Sequence, residues 1–206
     1  MKGLYAITDT DKLNSEIMLA RTEEILRAGA SLLQYRNKQA DQNTRIAEAK
    51  ELHTLCRQYS VPLIINDDIG LAVQTGADGV HLGKADSTVT DARERLGNKI
   101  MIGCSCYNDL DRAQQAAKSG ADYIAFGAFF SSPTKPDAAH AKPDIIQIAK
   151  QKFKLPVVAI GGITPENGRS LIEAGADMLA VISGLYASET PFNKTTQYIN
   201  MFKTES

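Results

Sequence analysis

The chain reads as an α/β protein, a closed (β/α)8 TIM barrel forming a single domain over residues 1–206. Three observations predict this. First, eight short apolar runs alternate with helical stretches. Strands that are nearly continuously apolar are buried on both faces, as in a parallel sheet covered by helices. Second, a small motif recurs. Gly29-Ala30-Ser31, Gly76-Ala77-Asp78, Gly120-Ala121-Asp122 and Gly175-Ala176-Asp177 each fall between a helix and the next strand. Glycine ends a helix in the left-handed conformation, and alanine lets the chain turn tightly. Third, eight βα units in 206 residues favour closure over an open doubly wound sheet. The open sheet would want a glycine-rich fingerprint after its first strand, and Ile7-Thr8-Asp9-Thr10 is not one.

The elements follow in order. Residues 4–7 are the first strand, and 15–28 a helix stopped by Gly29. Residues 31–35 are the second strand, ending in Gln34-Tyr35-Arg36-Asn37-Lys38, and 41–59 a long amphipathic helix. Residues 63–65 and 79–82 are strands joined by a short helix, 69–75. Residues 87–96 suit a helix capped by Ser87. The fifth strand is 100–104, ending at Ser105, with helix 110–119 behind it. Residues 123–126 form the sixth strand, followed by a long loop and helix 144–153. The seventh strand, 157–160, leaves through Gly161-Gly162 into helix 166–174, with Pro165 at its first turn. The eighth, 178–182, ends at Ser183-Gly184, and 192–202 is the last helix.

Composition narrows the function. A net charge of −1 gives no electrostatic pull toward nucleic acid or a membrane surface. Three cysteines, Cys56, Cys104 and Cys106, have no metal-ligand spacing and suit a reducing cytoplasm. No signal-peptide pattern and no membrane-spanning window is present. The expected partners are small molecules, with a homo-oligomer left open.

Chemistry in such a barrel sits at the C-terminal ends of the strands. Residues 62–86 place Asn66 and Asp67 after the third strand and Asp86 after the fourth. Parallel neighbours bring both carboxylates to one rim, where hard oxygen ligands with open positions suit Mg²⁺. The plainer reading is that each aspartate caps the helix after it. Arg36 and Lys38 alternate by two, so an extended segment points them the same way. With Lys135 on the sixth βα loop they suit a polyphosphate, and an Mg²⁺–pyrophosphate reconciles the cations with the carboxylates. Gly162 and Ser183, after the seventh and eighth strands, suit a second phosphate on backbone N–H groups. His81 reads as a hydrogen-bonded barrel histidine, His53 and His140 belong to no cluster, and Cys104 and Cys106 read as core fillers. Tyr5 and Tyr35 are either rim aromatics or packing.

LYAITD, QYRNK, IINDD, GADGVHLGKAD, IGCSCYN, GADYIAFGAFFSSPTK, VVAIGGITPEN and GADMLAVIS follow one another from residue 4 to about 186. Together they resemble the thiamine phosphate synthase family. The resemblance implies an Mg²⁺-dependent transferase. It would condense 4-amino-5-hydroxymethyl-2-methylpyrimidine diphosphate with a hydroxyethylthiazole phosphate, or its carboxylated form, releasing pyrophosphate. By motif, Gln34 and Ser105 would meet the pyrimidine. Arg36, Lys38, Asn66 and Lys135 would hold its diphosphate, with Tyr35 and Asn37 in the same set. Asp67 and Asp86 would bind Mg²⁺. Ser132, Pro133, Thr134, Gly162, Ile182 and Ser183 would hold the thiazole phosphate. Arg36, Lys38, Lys135 and Ser105 would carry the catalysis. No protein nucleophile is required, because the aminopyrimidine supports a cation once diphosphate leaves and the thiazole nitrogen attacks it. The sequence departs from the family at Asp68, Gly70, Lys84 and Ser132, the first three altering charge near the metal. Two other readings are a thiazole-isomerising branch of the family and a non-catalytic phosphate-binding barrel. Both would lose the metal end, which this sequence keeps.

Overall fold

Eight parallel strands pair in sequence order and close, β8 against β1, in a computed structural model that describes residues 1–83, 88–131 and 141–203. They are β1 (Gly3–Ile7), β2 (Leu32–Tyr35), β3 (Leu63–Asn66), β4 (Gly79–Leu82), β5 (Met101–Tyr107), β6 (Tyr123–Phe126), β7 (Val157–Ile160) and β8 (Met178–Val181). The helices among the described residues are α1 (Ser15–Arg27), α2 (Gln42–Gln58), α3 (Ile69–Thr75), α4 (Val89–Leu96), α5 (Leu110–Lys118), α6 (Asp144–Phe153), α7 (Arg169–Glu173), α8 (Ser183–Tyr186) and α9 (Pro191–Asn200). Among the described residues, no helix is long and apolar enough to cross a membrane.

Alternation along each strand makes two cores. Leu4, Ala6, Leu33, Ile65 and Val80 belong to the layer between strands and helices. Tyr5, Leu32, Ile64, Tyr123, Val158 and Met178 fill the barrel interior. A Cβ on Gly103 would collide with the Tyr123 ring, so glycine on β5 makes room for a tyrosine inside the barrel.

The recurring Gly-Ala-Asp motif has a structural purpose. Each glycine takes a positive φ: 68° at Gly76, 88° at Gly120 and 107° at Gly175. Each aspartate then accepts an N–H at the start of the preceding strand, before that strand's pairing with the next one begins. Asp78 Oδ2 takes Leu63 N at 2.8 Å, and Asp122 Oδ2 and Asp177 Oδ2 take Ile102 N and Val157 N at 2.7 Å. Those donors sit at the N-terminal edge of the barrel, where the ladder has not begun, and burying them unpaired would be costly.

Four expectations change. β5 runs on to Tyr107, so Ser105 lies within the strand; pairing with β6 carries it onward, with a register shift between Ser105 and Tyr107. α4 is capped by Thr88 in a reciprocal box with Asp91, and Ser87 lies outside the described residues. α7 starts at Arg169, because Thr164 O accepts Gly168 N (2.9 Å) and Asn167 Oδ1 accepts Thr164 N (2.8 Å), closing a turn around Pro165. Finally, a short helix, α8, follows β8 directly.

Candidate active site

The exit of β3 decides what its aspartates do. Asp67 takes φ 62°, and the Asp68 N–H bonds back to Asn66 O at 2.7 Å across it. A non-glycine residue in that conformation is held there by its surroundings; here the Asp67 N–H bonds His81 O on β4 at 2.9 Å. The tight turn puts Asp68, not Asp67, at the N-cap of α3. Asp68 Oδ1 accepts Leu71 N at 2.9 Å and its Oδ2 pairs with Arg45 at 3.0 Å. The departure at Asp68 is thus a helix cap whose charge Arg45 balances. Asp67 Oδ2 instead meets Lys38 Nζ at 3.0 Å and Asn66 Nδ2 at 2.6 Å. A cavity of about 280 Å³ lies here, lined by Tyr35, Asn37, Lys38, Arg45, Ile65, Asn66 and Asp67.

The loop after β2 is clamped from two sides. Thr8 Oγ1 accepts Arg36 N at 2.9 Å and donates to Arg36 O at 3.2 Å, and Thr10 Oγ1 donates to the same carbonyl at 3.0 Å. On the other side the buried Glu48 of α2 accepts from Ser15 Oγ (2.6 Å), Asn37 Nδ2 (2.9 Å) and the Tyr35 hydroxyl. Burial and the Glu48 carboxylate push the Tyr35 phenol well above its ordinary range. Tyr35 and Asn37 therefore brace the loop through Glu48 while lining the cavity. Arg36 and Lys38 do not share one direction: Arg36 leans 3.6 Å from Asp11 beside β1, and Lys38 leans to Asp67 beside β3. Each cation follows the nearest carboxylate on its own side.

Inside the barrel mouth, Gln34 and Ser105 are joined through three buried side chains. Gln34 Nε2 donates to Tyr5 OH (2.7 Å), and Tyr5 OH lies 2.9 Å from Tyr123 OH. Tyr123 OH lies 3.0 Å from His81 Nδ1, and His81 Nε2 lies 2.8 Å from Ser105 Oγ. The His81 and Tyr123 rings stack at 5.5 Å, and Tyr5 meets Tyr123 edge-on at 6.0 Å. Burial pushes His81 down to about 4, against the opposing pull of Asp67. It raises the phenols of Tyr5 and Tyr123 well above their ordinary range. His81 is thus the hydrogen-bonded barrel histidine expected, Tyr5 packs in the interior, and Tyr123 had drawn no attention in the sequence. The signal was available: tyrosines at inward-facing strand positions must find hydroxyl partners.

Arg112 is a second residue the sequence reading missed. Its guanidinium donates to Ser105 O and Gly83 O, each at 2.6 Å, tying the exits of β4 and β5 together. Cys104 and Cys106 are buried and face the helix layer as core residues. The Cys106 thiol and, after it, Arg112 lower the Cys104 thiol against the opposing effect of burial, while the Cys104 contact and burial raise Cys106.

At the far end of the mouth, Gly162 takes φ 61°, and a Cβ there would collide with the backbone carbonyls of Phe130 and Ser131. Glycine is needed because the chain leaving β6 passes directly against it. Ile182 and Ser183 open α8, and Tyr198 OH donates to Ile163 O at 3.0 Å beneath Gly184, so the exits of β7 and β8 adjoin. Asp86, Ser132, Pro133, Thr134 and Lys135 lie outside the described residues, as does Lys84. Among the described residues no group of three His, Cys, Asp or Glu could hold a metal. Mg²⁺ is often held by one or two carboxylates completed by water and phosphate. Asp67, a carboxylate at the rim beside an open cavity, fits that donor set.

A family model described as thiamine monophosphate synthase matches residues 4–185. The chain is 51% identical to the thiamine-phosphate synthase of Nitrosococcus oceani, over 91% of this chain and 87% of that protein. It is 48% identical to the thiamine-phosphate synthase of Azoarcus sp., over 98% of each. Among solved structures, the thiamine phosphate pyrophosphorylase of Pyrococcus furiosus superposes with a TM-score of 0.87 at 33% identity, covering 97% of this chain and 94% of that one.

Proposed function

Because the chain belongs to the thiamine monophosphate synthase family, we infer that the mouth of its barrel joins a pyrimidine diphosphate to a thiazole phosphate. The activity is that of a transferase acting on small molecules, giving thiamine phosphate and pyrophosphate. The observation that carries the assignment to this site is the meeting of Lys38, Asn66 and Asp67 beside the cavity at the β2–β3 rim.

In this reading the diphosphate lies over that rim. Lys38 gives its ammonium to phosphate oxygens, and Asn66 adds an amide donor. Arg36, its backbone clamped by Thr8 and Thr10, swings a forked guanidinium from Asp11 to the same group. Asp67, with Asp86, would hold Mg²⁺, which supplies charge neutralisation on the leaving pyrophosphate. Gln34 and Ser105 orient the pyrimidine so that its exocyclic carbon faces the thiazole nitrogen. Apolar residues of the interior, Ile64 and Val158 among them, keep water from the cation formed as diphosphate departs. N–H groups around Gly162, Ile182 and Ser183 hold the thiazole phosphate. By the resemblance in motif, Ser132, Pro133 and Thr134 join that set and Lys135 joins the diphosphate set. Three free, buried cysteines suit a reducing compartment such as the cytoplasm.

The test is direct. Purified protein is incubated with both substrates and Mg²⁺, and thiamine phosphate and released pyrophosphate are measured. Stoichiometric appearance of both is expected. A protein that isomerises the thiazole or binds phosphate without forming product would overturn the proposal.

A further inference from the structure

The chain of hydrogen bonds from Gln34 to Ser105 crosses five strands, β2, β1, β6, β4 and β5, and it has a direction. An amide nitrogen only donates, so Tyr5 accepts from Gln34 Nε2. The single Tyr5 proton then has the Tyr123 oxygen as its acceptor within reach, and once that bond is made the single Tyr123 proton is left for His81 Nδ1. An imidazole nitrogen that accepts carries no proton, so the ring proton sits on Nε2 and is given to Ser105 Oγ. Protonating both ring nitrogens would leave the Tyr123 proton without an acceptor, in a side chain that is 0% exposed.

Two atoms at the ends remain. The Ser105 hydroxyl, having accepted from His81, keeps its own proton to give away. Gln34 Oε1 makes no hydrogen bond among the described residues, and the buried polar atoms lacking a partner there are Arg45 Nε and Thr195 Oγ1. Gln34 Oε1 is therefore open to an incoming molecule.

We propose that this chain sets the polarity with which the barrel floor reads the pyrimidine: Gln34 Oε1 accepts, Ser105 Oγ–H donates, and Tyr5, Tyr123 and His81 are positioning residues. The inference rests on the assignment of the pyrimidine to this floor. A ring bearing an amine donor and an unprotonated ring nitrogen matches the pattern. The analogue with an oxo group in place of the amine presents a carbonyl acceptor and a ring N–H donor, the reverse at both ends. Such a mismatch leaves buried polar groups unpaired, so the oxo analogue should bind at least about tenfold more weakly.

The first experiment reads the tautomer without any substrate. The protein has three histidines, so long-range ¹H–¹⁵N spectra are simple, and His81→Asn assigns the signal. The expected result is a neutral ring protonated at Nε2; a proton on Nδ1, or on both nitrogens, overturns the direction. Gln34→Glu, studied where its carboxylate is ionised, can only accept from Tyr5. It should reverse every bond and move the His81 proton to Nδ1, a change that a merely structural role for Gln34 would not produce. An unchanged ring overturns the link between Gln34 and His81. The second experiment uses activity. Tyr123→Phe should raise KM for the pyrimidine diphosphate about tenfold while KM for the thiazole phosphate stays within about twofold. An equal rise in both would mean general loss of packing and overturn the positioning role. Absence of thiamine phosphate formation by the unaltered protein would sink the functional assignment, yet the tautomer result would still stand or fall by itself.

Discussion

Asp68 accepts the amide of Leu71 at 2.9 Å while Asp67, its immediate neighbour, faces Lys38 at 3.0 Å. Two adjacent carboxylates are thus divided between holding a helix and lining the mouth. The division follows from the φ of 62° at Asp67, which turns the chain before α3 begins. It also makes the two substitutions separable. Asp68→Ala should lower stability by about 1 kcal/mol through loss of the cap. Asp67→Asn, whose side chain tolerates the same φ, should leave the melting temperature nearly unchanged and cut turnover severely. Thermal melts beside steady-state kinetics check both, and an Asp67→Asn enzyme retaining full activity in excess chelator would remove Asp67 from the metal site.

Lys38 is more than half exposed (55%), so its pairing with Asp67 contributes little to stability. Its weight falls on the leaving group. Lys38→Ala should lower kcat as well as kcat/KM, by about 10²–10³-fold if the ammonium meets charge developing on pyrophosphate. The same is expected of Lys135→Ala. Single-turnover rates at saturating substrate decide the matter; a change in KM alone would mean simple binding.

Gly162→Ala tests the second phosphate site with a caution the structure supplies. The new methyl would press on the carbonyls of Phe130 and Ser131, shifting the backbone just before Ser132 and Thr134 in the sequence. KM for the thiazole phosphate should rise at least about tenfold, with KM for the pyrimidine diphosphate affected less. Equal effects on both would detach this end of the mouth from the thiazole substrate.

At the opposite end of the barrel, Asp122 accepts Ile102 N and pairs with Arg93, both at 2.7 Å. Asp122→Ala strands a buried N–H and should cost about 1–3 kcal/mol in denaturant unfolding. Activity per folded molecule should not change, since no residue assigned to substrate lies there.

His81 gives a pH signature. Its folded pKa of about 4 lies below the ordinary 6.5, so the unfolded chain binds the proton more readily. Its contribution is fully present above about 6.5 and is lost as the pH falls toward 4. The unfolding free energy, followed through that window, should decline less steeply in His81→Gln than in the parent protein.

Local pattern was enough for the barrel. Apolar runs, helical spacing and the Gly-Ala-Asp repeat report burial and turns within a few residues of themselves. For the same reason the sequence placed Asn66 and Asp67 at the end of β3 and the glycines after β7, and the motifs pointed to the family. What lay beyond it were choices made between distant parts of the chain. Either Asp67 or Asp68 could have capped α3 until the β4 carbonyl of His81 claimed the Asp67 N–H. Ser105 belongs to β5 only because β6 pairs past it. Arg36 and Lys38 alternate as an extended segment requires, yet Asp11 and Asp67 draw them apart. The path from Gln34 to Ser105 exists only because closure sets β1 and β6 facing across one interior. A hydrogen bond requires its two atoms within about 3 Å of each other, and for side chains on different strands only the closed barrel supplies that distance.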